Sequence, residues 1–167
     1  MNYHKIDYDN MLNGEGLRAV LFVSGCTHHC HNCQNPQTWD KKSGKEFTKS
    51  VKNELIEYLK NDYVSGITFS GGDPLYIHNI REVSSLCEYI KTKLKDKNIW
   101  LYTGYTIEKI LSDKLLKATI KYVDVLVDGR YEEALADKNY KWAGSTNQRI
   151  IDVQKTLKSG EIVLYKV

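Results

Sequence analysis

The 167-residue sequence has no apolar run long enough to cross a membrane, and its opening residues, Met1-Asn2-Tyr3-His4-Lys5, lack the apolar stretch of a secretory signal. A cytoplasmic location with no membrane partner is expected. There is also little excess of charge: 24 Lys and Arg stand against 21 Asp and Glu, a net +3, and lysines sit close to acids, as in Lys52-Asn53-Glu54 and Glu88-Tyr89-Ile90-Lys91. Such mixed runs are solvated helix faces and give no reason to expect a nucleic-acid partner. Internal repeats, low-complexity tracts and linkers are absent too, so residues 1–167 read as one domain of a size that can bury a real core. Cysteine is scarce, at four residues, and three of them fall within eight positions. That crowding does not suit a disulfide framework, and in a reducing compartment it points to metal or catalytic use.

What is present alternates between β-rich runs and amphipathic stretches. Ala19–Val23, Gly66–Phe69, Ile99–Tyr102 and Val123–Val127 read as strands. Between them lie helical stripes: Val51, Leu55, Tyr58 and Leu59 after a Thr48 cap, then Ile80, Val83, Leu86, Cys87, Ile90 and Leu94, then a helix from about Thr106 to Lys117. This is the pattern of βα units around a largely parallel sheet. Ile150–Val153 and Ile162–Tyr165, around Lys158-Ser159-Gly160, predict a terminal β-hairpin. Loops that follow parallel strands gather at one end of a sheet. The clusters Cys26 to Cys33, Gly71 to Asp73, Thr103 to Tyr105 and Asp128 to Arg130 should therefore converge.

The strongest chemical signal is Cys26-Thr27-His28-His29-Cys30-His31-Asn32-Cys33. Three thiolates at intervals of four and three can wrap three corners of an iron-sulfur cube and leave the fourth iron open to a substrate. The competing reading is a structural zinc site, with one of His28, His29 or His31 as fourth ligand, although zinc ligands usually come as two separated pairs. The three histidines otherwise read as solvent-exposed members of a polar loop. Cys87 lies on an apolar helical stripe and reads as core.

The cysteine spacing resembles the C-x3-C-x2-C motif of the radical S-adenosylmethionine superfamily, and Ser70-Gly71-Gly72-Asp73-Pro74 looks like that superfamily's glycine-rich cosubstrate loop. Asn2-Tyr3-His4, Asn13-Gly14-Glu15-Gly16, Leu21 to Cys26, Trp100 with Thr103-Gly104-Tyr105, Asp124 to Gly129 and Gly144-Ser145-Thr146-Asn147-Gln148 extend the match. Together they resemble the activating proteins of anaerobic, class III ribonucleoside-triphosphate reductase, from Met1 to about Asp152. Residues 153–167 match nothing in that pattern.

The resemblance implies an α/β fold: an incomplete (β/α) barrel with a mainly parallel, curved sheet. It implies a [4Fe-4S] cluster on Cys26, Cys30 and Cys33 and bound S-adenosyl-L-methionine, with Gly71 and Gly72 meeting the methionyl amino group through backbone. Asn32, Cys33 and Gln34 would offer backbone contacts to the adenine, Asn32 standing where many superfamily members carry an aromatic residue. Asp73 and Thr103 would help hold the cosubstrate, and Asp128 its ribose or a monovalent cation. No side chain is assigned an acid-base role. Arg18, Arg130 and Arg149 are candidates for the partner surface or the cosubstrate carboxylate. The implied enzyme generates a glycyl radical on the anaerobic reductase, using a one-electron donor such as flavodoxin. The alternatives are an activase of another glycyl-radical enzyme, of the pyruvate formate-lyase type, and a non-catalytic zinc-binding module.

Overall fold

A computed structural model describes residues 1–166. Its centre is a sheet of seven strands: β1 (Asn2–Asn10), β2 (Arg18–Val23), β3 (Lys45–Glu46), β4 (Gly66–Gly71), β5 (Asn98–Tyr102), β6 (Val125–Asp128) and β7 (Arg149–Asp152). They lie in the order β3-β1-β2-β4-β5-β6-β7. The run β2-β4-β5-β6 is parallel throughout, and β1 and β7 pair antiparallel on its two sides. This is the expected α/β class with a mostly parallel sheet, and the sheet is open and does not close into a barrel. The antiparallel strands end the parallel run on both sides, and the outermost strands, β3 and β7, do not pair with each other.

Five helices, α1 (Lys49–Leu59), α2 (Ile80–Lys93), α3 (Ile107–Ser112), α4 (Lys114–Ile120) and α5 (Val153–Ser159), cover one face. The alternation of each strand sorts its side chains between two cores. Ile99, Leu101, Leu126 and Ile151 join Leu55, Leu86, Ile110 and Ile120 in the helix-side core. Trp100, Val125, Val127 and Ile150 point the other way, to a smaller cluster completed by Tyr102, Trp142 and Tyr165. That second face carries none of these five α-helices, and the connection from β6 to β7 supplies Trp142 to it.

Besides the two-residue β3, which no apolar run announces, three elements differ from the sequence-based expectation. Strand β1 is unannounced by any apolar run, because it carries polar residues and its register shifts between Tyr3 and Lys5 and again between Asp7 and Asn10. The shifts break the period of two, so Tyr3, Ile6 and Tyr8 meet the helix-side core at uneven spacing. The single helix expected from Thr106 to Lys117 is two helices. Asp113 is extended and its carboxylate accepts from the backbone N–H groups of Leu115 and Leu116, starting α4 afresh. The terminal hairpin has a helix where its turn was expected: Asp152 caps α5 by accepting from Lys155 N–H, and Gly160 closes it at φ 77°. The returning chain still pairs with β7, through Asp152 N–H to Val163 O at 2.9 Å and Tyr165 N–H to Ile150 O at 2.8 Å.

No helix among the described residues is long and apolar enough to cross a membrane.

Candidate functional site

Because β2, β4, β5 and β6 run parallel and side by side, the loops after them open on the same edge of the sheet. The loop after β2 carries Cys26, Cys30 and Cys33, all half-buried and free of disulfides. It is fastened from below by the segment that follows it: Gly25 N–H donates to Thr38 O at 2.6 Å and Cys26 N–H to Trp39 O at 3.1 Å. Within the loop, Cys33 N–H donates to Cys30 O at 3.1 Å, and Asn35 N–H points at the Cys33 sulfur at 3.4 Å. Burial pushes the Cys26 thiol up to about 11, against the pull of the His28 and His29 backbone N–H groups aimed at it.

The glycine loop after β4 packs against this one. Gly72 N–H donates to Val23 O at 2.7 Å and Asp73 N–H to Gly25 O at 2.8 Å. A Cβ on Gly72 would stand 2.5 Å from Gly25 O, so the missing side chain makes room for the cysteine loop itself. A Cβ on Gly71, at φ 91°, would stand 2.9 Å from the Phe22 and Val23 backbone of β2, and Gly71 also lines a cavity. Gly72→Val is therefore expected to push the cysteine loop out of place, costing about 1–3 kcal/mol of stability and lowering the iron retained after anaerobic reconstitution. Full iron content with unchanged denaturant stability would show that the contact tolerates a side chain.

Asp73 is the hub. Its buried carboxylate accepts from Leu75 N–H at 2.8 Å, from Thr103 Oγ1 at 3.0 and 2.9 Å, and from Gly104 N–H at 3.2 Å, and it meets His28 Nε2 at 2.6 Å. His28, expected to be solvated, is instead held between Asp73 and the edge of Tyr105, its ring 4.6 Å from the tyrosine's. Gly104 gives the imidazole its space, since a Cβ there would fall 2.4 Å from the ring. The other two histidines do lie at the surface: His29 stacks on Trp39 at 4.4 Å, and His31 is 3.3 Å from Glu133. Asn32 is exposed at φ 52° and donates to Glu133 at 2.6 Å.

Asp128, also buried, accepts from Ile107 N–H at 2.7 Å and from Arg149 at 3.0 and 2.5 Å. It thus joins β6, β7 and the start of α3. The same guanidinium draws Glu108 down to about 2. Arg130 donates to the carbonyl of His28 and so ties the loop after β6 to the cysteine loop. Arg18 is fully buried at the opposite end of the sheet, bonded to Thr68, Ile67 O, Asn98 and Glu15 O, with burial pushing it down to about 10. That position removes Arg18 from any partner surface.

A cavity of about 520 Å³ opens beside Cys33 on the helix-free face. Cys33, Gln34, Ser70, Gly71, Tyr102 and Trp142 are among the residues that line it. Gln148, also in the lining, accepts from Gly144 and Ser145 N–H and donates to Gly129 O at 3.0 Å. Asp73, Thr103 and Asp128 do not line this cavity; their polar atoms are spent on one another's loops. Sequence reasoning missed Tyr102 and Trp142 as cavity residues, although the alternation of Trp100 and Tyr102 in β5 was a usable signal.

The donor set suits an iron-sulfur cluster. Three thiols on one loop match three corners of a cube, and backbone N–H groups already point at two of the sulfurs. Trp39, stacked on the loop, has a buried indole N–H with no acceptor among the described residues, and cluster sulfur is an acceptor that such a donor suits.

Fold and loop define a single-cluster iron-sulfur protein, and residues 12–151 match the family model described as 4Fe-4S single cluster domain. The chain is 45% identical over 150 residues to the anaerobic ribonucleoside-triphosphate reductase-activating protein of Enterobacteria phage T4, covering 90% of this chain and 93% of that one. Its identity to the protein of the same name from Vibrio cholerae is 41% over 152 residues, covering 90% and 97%. For the Escherichia coli protein it is 37% over 150 residues, covering 89% and 96%. The chain belongs to the family of anaerobic ribonucleoside-triphosphate reductase-activating proteins.

Proposed function

We propose that the protein is a radical S-adenosylmethionine activase of anaerobic ribonucleoside-triphosphate reductase, with its cluster on Cys26, Cys30 and Cys33 and the cosubstrate in the adjoining cavity. The observation that carries the reading is the three-thiol loop opening, through Cys33 and Gln34, onto a cavity of a size that suits a nucleoside-sized ligand. Bound together, cluster and cosubstrate would supply the chemistry: an electron from an external donor would cleave the sulfonium to methionine and a deoxyadenosyl radical, which would take a hydrogen atom from a glycine of the reductase.

The chain's own residues position and enclose. Cys33, Gln34, Ser70 and Gly71 present backbone and polar atoms to the cosubstrate, while Asn32, turned out to Glu133, does not line the cavity. Tyr102 and Trp142 offer aromatic surface from the helix-free side and keep water from the reacting atoms. Gly72 and Asp73 hold the glycine loop against the cysteine loop. Thr103 fixes Asp73, and Asp128 fixes the start of α3, so these three act on the cosubstrate through the backbone they set rather than by touching it. A one-electron donor such as flavodoxin completes the reaction.

With a strong reductant and S-adenosylmethionine but no partner, slow release of 5′-deoxyadenosine and methionine is expected. Adding the anaerobic reductase should produce a glycyl radical, seen as a doublet in electron paramagnetic resonance, and deuterium on the target glycine should appear in the deoxyadenosine. A radical without label transfer would require an intermediate carrier. A radical on pyruvate formate-lyase but not on the reductase would change the partner and keep the chemistry.

A further inference from the structure

Resting on the cluster site proposed above, we infer that the indole N–H of Trp39 donates a hydrogen bond to a sulfur of the bound cluster and so raises its reduction potential. Among the described residues only two buried side-chain polar atoms lack a hydrogen-bond partner, Trp39 Nε1 and Asn147 Oδ1. The first is therefore the only buried side-chain donor left unpaired. The Trp39 side chain as a whole is half-buried, but its nitrogen is shut off from solvent. Other donors in the interior are spent: Arg18 on Thr68 and Asn98, Asn79 on the carbonyls of Ser24 and Asp73, and Lys97 on those of Asn61 and Val64. A chain that pairs its buried donors this thoroughly leaves one open where a group outside the polypeptide accepts it.

The position of Trp39 names that group. Its carbonyl accepts from Cys26 N–H at 3.1 Å, and its ring lies flat against the ring of His29, the residue before Cys30, with centroids 4.4 Å apart and 17° between the planes. The short turn Pro36–Thr38 fixes this approach: Trp39 N–H donates to Pro36 O at 3.2 Å and Thr38 Oγ1 to Asn35 O at 2.7 Å, while Asn35 N–H points at the Cys33 sulfur. The segment from Asn35 to Trp39 thus touches the cysteine loop at Cys33, at Cys26 and beside Cys30. Sulfur bound to iron accepts hydrogen bonds, and it gains negative charge when the cluster takes up an electron. A donor held in place stabilises the reduced form more than the oxidised one, so the potential rises. Indole suits this task because it only donates and cannot turn an acceptor toward the sulfur.

The test compares the reconstituted protein with Trp39→Phe, which keeps an aromatic ring against His29 and removes the donor. In a redox titration followed by electron paramagnetic resonance without cosubstrate, the variant's reduction equilibrium should shift about tenfold toward the oxidised cluster, a potential lower by about 59 mV for one electron. Iron content should stay unchanged, which a packing defect alone would not allow together with a shifted potential. A second measurement does not depend on the variant folding. With nitrogen-15 in the indole rings, pulsed resonance of the reduced unmodified protein should show one labelled nitrogen coupled to the cluster, and Trp39→Phe should lose that coupling while Trp100 and Trp142 keep their label. Equal potentials in the two proteins at full iron content, or no coupled indole nitrogen in the unmodified one, would overturn the inference. If the variant held no iron, the coupling in the unmodified protein would decide by itself. An unmodified chain that assembled no four-iron cluster would overturn the proposed function instead.

Discussion

Alanine at Cys26, Cys30 or Cys33 is expected to leave a colourless protein, whereas the unmodified chain, reconstituted without oxygen, should hold about four iron and four sulfide. Two thiolates cannot hold three corners of a cube, and no other cysteine can substitute. Cys87, the fourth, is fully buried in the helix-side core, where desolvation pushes its thiol far up. Cys87→Ala should keep the full iron content and lose only about 1 kcal/mol of stability, the cost of a small void in a packed core. Iron and sulfide analysis with a visible spectrum decides the matter. Loss of iron in Cys87→Ala, with retention in one of the other three variants, would overturn the ligand assignment. A colourless reconstituted protein containing zinc would restore the binding-module alternative.

The second large effect is expected at Asp73. Asp73→Ala would strip the acceptor from His28, Thr103 and the N–H groups of Leu75 and Gly104 at once, in a site with almost no access to water. Each buried donor left without a partner costs about 1–3 kcal/mol, and local relaxation recovers part of it, so a net loss of at least about 3 kcal/mol is expected. Iron content should fall with it, because His28, which loses its carboxylate partner, belongs to the cysteine loop. Asp73→Asn keeps the shape and one acceptor oxygen and should recover much of the stability. Anaerobic denaturant titration together with iron analysis measures both quantities. Near-native stability and iron in Asp73→Ala would show that the carboxylate does not organise the loops, returning it to direct contact with the cosubstrate.

Much of the site could be read without coordinates. The cysteine loop is contiguous, and the spacing of three thiols within eight residues already limits what can bind there. The four parallel strands declare themselves as short apolar runs because both of their faces are buried, and the loops that follow them must then share one edge. Val51, Leu55 and Leu59, and Ile80 to Ile90, show helical spacing because one face of each helix meets one core.

Position relative to distant partners was not legible. Nothing local distinguishes His28 from His29 and His31, yet Asp73, 45 residues on, buries the first, while the other two stay at the surface. Arg18, Arg130 and Arg149 look alike in the sequence, but only the sheet puts one in the interior, one on the carbonyl of His28 and one between Asp128 and Glu108. Strand β1 was hidden by its register shifts, and the break at Asp113 because a helical stripe does not reveal where a side chain will compete for backbone N–H groups. Residue type and spacing determined which chemistry the chain can hold, since ligand identity is a local property. Which polar groups touch the cavity and which brace its walls was decided by tertiary structure alone, because a hydrogen bond is set by distance in space and the partners here are tens of residues apart.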